Sequence, residues 1–74
     1  MEAGRSVDVS RVVAQLTDRE REVYDLLLRA SSDREIATQL GISTRTTRFH
    51  VSNVLSKFRI PNRLKLVHAV LSRR

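Results

Sequence analysis

Two short segments carry the same helix-start signature, and together they constrain the fold more than any other feature. Thr17-Asp18-Arg19-Glu20 and Ser32-Asp33-Arg34-Glu35 each place a hydroxyl three residues before a glutamate. That spacing lets the hydroxyl and the carboxylate satisfy each other's backbone N–H groups at a helix N-terminus. The two starts lie so close that the helix between them has room for only about three turns. Such a chain must therefore build its core from short, steeply connected helices.

Hydrophobic periodicity fills in the helices. Val23, Leu26, Leu27 and Ala30 form the inward stripe of the first, which Ser31 and Ser32 end. Ile36, Ala37 and Leu40 face inward in the second. Gly41 stops it, because glycine takes positive φ at little cost. Ile42 reads as a buried turn residue, and Ser43 caps a third helix over 44–58. That helix is two-faced. Thr47, Val51, Val54, Leu55 and Phe58 face inward, while Arg45, Arg48, Phe49, Ser52 and Ser56 lie opposite. It spans about 22 Å at 1.5 Å per residue. Ile60-Pro61 breaks it, since a proline disfavours helical geometry in the residue before it. Asn62 caps a fourth helix, with Leu66, Val67 and Val70 inward and Leu64, His68 and Leu71 partly outward.

Ahead of these, Val9, Val12, Val13 and Leu16 fall on one helical face and predict a short extra helix. Residues 1–8 read as a flexible lead. The expected division is a lead or linker helix over 1–15 and a globular domain over 16–74. No segment shows strand alternation, internal repetition or low complexity. The predicted fold class is all-α, a compact four-helix domain with the short N-terminal helix as an addition.

At 74 residues the chain has one small core and little structure left for a deep catalytic pocket. It has no cysteine, which excludes disulfides and thiolate metal sites and fits a reducing cytoplasm. No apolar run approaches the roughly 20 residues of a membrane span, and the first residues lack the apolar core of a signal peptide. The net charge is +6, and its distribution is uneven. Residues 41–74 carry eight bases and no acid. A one-sided positive field of this kind is the footprint of a polyanion binder.

Helix, glycine-containing turn, helix is the helix-turn-helix arrangement. Its second helix enters the major groove of double-stranded DNA with its N-terminal residues toward base edges. Those residues here are Thr44, Arg45, Thr46, Arg48, Phe49, Ser52 and Asn53. Arginine forks suit guanine O6 and N7, asparagine suits adenine, and an aromatic can touch a thymine methyl. Hydroxyls and free N–H groups at a helix start suit phosphates.

The residues Leu16 to Val23, then Glu35-Ile36-Ala37, Leu40-Gly41-Ile42-Ser43, Thr46 to Leu55, Lys57-Phe58 and Asn62-Arg63 closely resemble the LuxR/FixJ-type, GerE-like effector domain. The resemblance covers about residues 16–71. It implies a four-helix domain that binds promoter DNA as a dimer in bacterial transcription control. It assigns base contact to Arg48, Phe49 and Ser52, beside Arg45 and Asn53 from the helix reading. It assigns backbone contact to Thr44, Thr46, Lys57 and Arg59. Dimerisation falls to the fourth helix, through Leu64, Val67, His68 and Leu71, and RNA polymerase is a further expected partner. Four positions depart from the family pattern. Glycine is usual at Ala30 and common at Arg59, valine is usual at Thr47, and Phe49 replaces an asparagine or small apolar residue. The Thr47 hydroxyl is expected to bond back one turn, near Ser43.

Other readings are weaker. His50 has no cysteine and no later carboxylate with which to build a relay, so it reads as a helix-edge hydrogen-bonding residue rather than a catalyst. His68 lacks a second ligand at metal spacing. Asp18, Glu22 and Asp25 read as a solvated face with Arg21–Asp25 and Asp25–Arg29 pairs, not a cation site. No catalytic residue, metal or cofactor is expected. The alternative to DNA binding is a helical interaction module that presents the same basic face to polymerase, a sigma factor or a receiver domain.

Overall fold

The computed structural model describes residues 8–72. Of the expected flexible lead over residues 1–8, residues 1–7 lie outside them, and Asp8 is instead the N-cap of the first helix, accepting from the Arg11 N–H at 3.2 Å. Five helices follow: α1 (Val9–Ala14), α2 (Asp18–Leu28), α3 (Asp33–Leu40), α4 (Thr44–Phe58) and α5 (Arg63–Leu71). No strand occurs among the described residues. The all-α architecture with one short extra N-terminal helix is as the sequence implies.

Each helix starts where a side chain can accept its orphan N–H groups. Both reciprocal capping boxes form, Thr17 with Glu20 and Ser32 with Glu35. Ser43 accepts from the Thr46 N–H at 2.9 Å, and Asn62 from the Lys65 N–H at 2.9 Å. The α2, α3 and α4 ends share a second device. Ala30, Gly41 and Arg59 all take left-handed backbone geometry, with φ of 62°, 70° and 59°. The next residue in each case donates its N–H to a carbonyl five positions back: Ser31 to Leu26, Ile42 to Ala37 and Ile60 to Leu55. This closure satisfies helix-end carbonyls and turns the chain sharply.

Ala30 is therefore exposed at a helix exit rather than in the α2 stripe, and α2 ends at Leu28 rather than at the serines. Tyr24 takes the fourth buried position instead and stacks on Phe58, with ring centroids 5.5 Å apart. Helix α4 packs against every other helix. Its Val54 and Thr47 are fully buried with Val23 and Leu27 of α2, Ile36 of α3 and Leu66 of α5. Val9 joins the same core from α1. The Thr47 hydroxyl donates to the Ser43 carbonyl at 3.0 Å, so the buried polar group is satisfied as expected. Val67 was expected to help close the core from α5; Leu66 and Val70 do that, and Val67 lies on the outer side with Leu64 and His68.

Candidate nucleic-acid interface

Helix α3, the Gly41 turn and α4 set the geometry of the outer surface. Gly41 is exposed, and nothing lies within 4 Å of a Cβ added there, so its left-handed φ, not crowding, explains the glycine. The turn ends at Ser43, whose hydroxyl both caps α4 and donates to Thr46 Oγ1 at 3.0 Å. Four expected DNA-facing residues, Arg45, Arg48, Phe49 and Ser52, are exposed along one side of α4. Asn53 and Thr44 are half-buried at its margins. Phe49 is 63% exposed, which leaves a large aromatic face in water beside the arginines. Thr46 and Arg59 are also exposed, at opposite ends of the helix.

Three cations meet two acids that no local sequence pattern connects to them. The Lys57 ammonium lies 2.6 Å from Glu20 Oε1 and 3.3 Å from the Gln15 carbonyl. Glu20 is buried, and its other contact is the capping-box N–H of Thr17. The Lys57 hydrogen bond holds the Glu20 carboxyl below its ordinary value, outweighing the opposing effect of burial. Arg48 Nε lies 3.5 Å from Asp33 Oδ2, and Arg63 donates to Asp33 Oδ1. Each partnership joins residues fifteen or more positions apart. Helical periodicity reports only neighbours within a turn or two, so no local signal marked them.

The acidic side of α2 also pairs differently from expectation. Arg19 meets Glu22 at 3.1 Å, while Arg21 donates to the Val13 carbonyl. The buried Nδ1 of His50 finds no hydrogen-bond partner among the described residues, and its ring meets Phe49 edge-on. No three His, Cys, Asp or Glu side chains among the described residues gather as metal ligands. None of the described helices is long and apolar enough to cross a membrane.

A short turn that sets a capped, basic, aromatic-bearing helix against a smaller one defines a helix-turn-helix protein. Residues 14–70 match the model of the bacterial regulatory proteins of the luxR family, and the chain belongs to that family. The spore germination protein GerE of Bacillus subtilis is 43% identical over 56 residues, 76% of each chain. The transcriptional regulatory protein UhpA of Salmonella typhimurium is 40% identical over 53 residues, 72% of this chain and 27% of UhpA. The response regulator protein VraR of Staphylococcus aureus is 40% identical over 52 residues, 70% of this chain and 25% of VraR. The chain thus spans three quarters of GerE and about a quarter of the longer regulators. No solved structure matches it. The family makes this a DNA-binding domain of transcription regulation, acting on double-stranded DNA and not an enzyme.

Proposed function

We propose that α4 lies in the major groove of promoter DNA and that Arg48, Phe49 and Ser52 read base edges, flanked by Arg45 and Asn53. The exposed Phe49 supports this most directly, since a small domain gains nothing from a wet aromatic beside two arginines unless a surface covers it. Thr44, Thr46 and Arg59 contact phosphates. Lys57 acts on the backbone less directly: its ammonium is already committed to Glu20, so it seats α4 at the distance that phosphate contact needs. The domain works in the bacterial cytoplasm as a dimer, paired through Leu64, Val67, His68 and Leu71 on α5.

A binding-site selection with the purified chain tests the reading. Wild-type protein is expected to yield one site, and Arg48→Ala to lose preference at particular base pairs at a cost of about 1–3 kcal/mol. Uniform loss of affinity across all sequences would remove Arg48 from the bases. Retained binding to a protein partner with no DNA preference at all would favour the interaction-module reading.

A further inference from the structure

Asp33 and Glu35 are the last two acids in the sequence, and everything after them is basic or neutral. Asp33 is the first residue of α3 and joins two arginines from that acid-free half. Arg63, at the start of α5, donates to its Oδ1 and also to the Ser31 carbonyl at 3.2 Å. These two contacts fix the carboxylate, whose side chain is only 23% exposed. Its other oxygen, Oδ2, is left for Arg48 Nε at 3.5 Å. Arg48 itself is 71% exposed, so it is held along one edge and open on the rest.

We propose that Asp33 is a positioning residue that determines base specificity, bracing Arg48 while Arg63 holds the brace. The inference rests on the reading of Arg48 as a base-contacting residue. A guanidinium engaged through Nε keeps both Nη groups for an incoming pair of acceptors, the guanine O6 and N7 edge. A braced arginine loses less rotamer freedom on binding than a free one. A carboxylate beside the DNA-facing helix also repels phosphates that approach without making the guanine contact. The first favours the cognate base pair and the second disfavours other DNA, so both raise discrimination. The direct route between α5 and α4 through this carboxylate also explains why an acid survives next to a positive surface.

The test takes the selected site and scores the base pair whose preference Arg48→Ala erases. Asp33→Asn, which keeps the size of the side chain, is expected to reduce discrimination at that pair by roughly three- to fivefold, the scale of a partly exposed ion pair. Binding to unrelated DNA should stay equal or strengthen, because a negative charge has gone. In an Asp33→Asn, Arg48→Ala double variant the discrimination should match that of Arg48→Ala alone. Arg63→Gln should lower base discrimination less than Asp33→Asn and lower thermal stability more. If Asp33→Asn weakens all DNA sequences equally, or changes melting temperature without changing base preference, Asp33 is structural and the brace is refuted. If Arg48→Ala itself erases no base preference, the base-reading role fails first and the brace falls with it.

Discussion

The Lys57 ammonium sits 2.6 Å from Glu20 Oε1, tying the last turn of α4 to the first turn of α2. Glu20 is also half of the α2 capping box, so one buried carboxylate serves both a helix start and a helix–helix contact. Removing Lys57 would leave that carboxylate without its cation in a place from which water is largely excluded. Lys57→Met, which keeps the apolar stem, is expected to destabilise the fold by about 1–2 kcal/mol, because the ammonium is itself partly exposed. Urea unfolding of both proteins reads this directly. If Lys57 instead meets phosphate in the complex, the variant will also shrink the salt slope of DNA binding by about one.

The same pair sets an acid dependence. Glu20 is held below its ordinary carboxylate value in the folded chain. Its contribution is therefore fully present above the unfolded value and is lost as pH falls through the folded one. Wild-type stability should drop as pH falls below the ordinary carboxylate value of 4.5 more steeply than that of Glu20→Gln, whose side chain can still accept the Thr17 N–H. Identical acid profiles in the two proteins would show that the pair contributes nothing to folding.

Helix exits give a prediction in the opposite direction. Ala30 and Arg59 hold left-handed geometry that costs a residue with a Cβ about 1–2 kcal/mol. Ala30→Gly should raise stability by a few tenths to about 1 kcal/mol after glycine's greater unfolded-chain entropy is counted. That shifts the melting temperature by up to about 8 °C in a domain of this size. Gly41→Ala should lower stability by a similar amount through that backbone strain alone, since its added Cβ meets no neighbouring group. Arg59→Gly should stabilise the fold while weakening DNA binding, a split that a purely structural Arg59 would not produce.

These exits also show where the sequence was legible and where it was not. Four of the five helix starts were written in it, because a cap needs a particular side chain at a particular spacing: Thr17, Ser32, Ser43 and Asn62 all cap as their positions imply, whereas the Asp8 cap of α1 fell within the expected lead. Helix ends were legible at Gly41 and at Phe58, where Ile60-Pro61 stops α4, but not at the end of α2. A left-handed Ala30 leaves no mark in residue type, since alanine also fits a buried stripe, and departure from the family glycine was its one clue. The α4 faces were legible because a helix that long averages its period over several turns. The contacts of Lys57, Arg48 and Arg63 were not, because each depends on a helix crossing that the periodicity of a single helix does not encode.

Duplex binding should be steeply salt-dependent. The eight bases and no acid of residues 41–74 are enough for about five charge-neutralising phosphate contacts per subunit, and log K falls by about 0.9 per phosphate neutralised for each unit of log salt. Titrations from dilute to physiological salt measure the slope. A flat response would remove the acid-free half of the chain from the account of affinity.

The α5 prediction turns on two leucines. Leu64 is 77% exposed and Leu71 60%, and with Val67 and His68 they line one shallow apolar groove. Covering each leucine contributes about 1.5–3 kcal/mol, which must offset the translational and rotational entropy lost on association. So small a patch is expected to give a weak dimer in free solution and a firm one on DNA, where two half-sites would hold the partners together. Two-fold pairing through α5 would set the two α4 helices in successive major grooves, about 34 Å apart. Leu64→Glu with Leu71→Glu should leave helical circular dichroism and melting temperature nearly unchanged, since neither residue reaches the core. It should abolish cooperative occupation of paired half-sites while leaving binding to one half-site intact. Cooperativity that survives in the folded double variant would move the interface off α5.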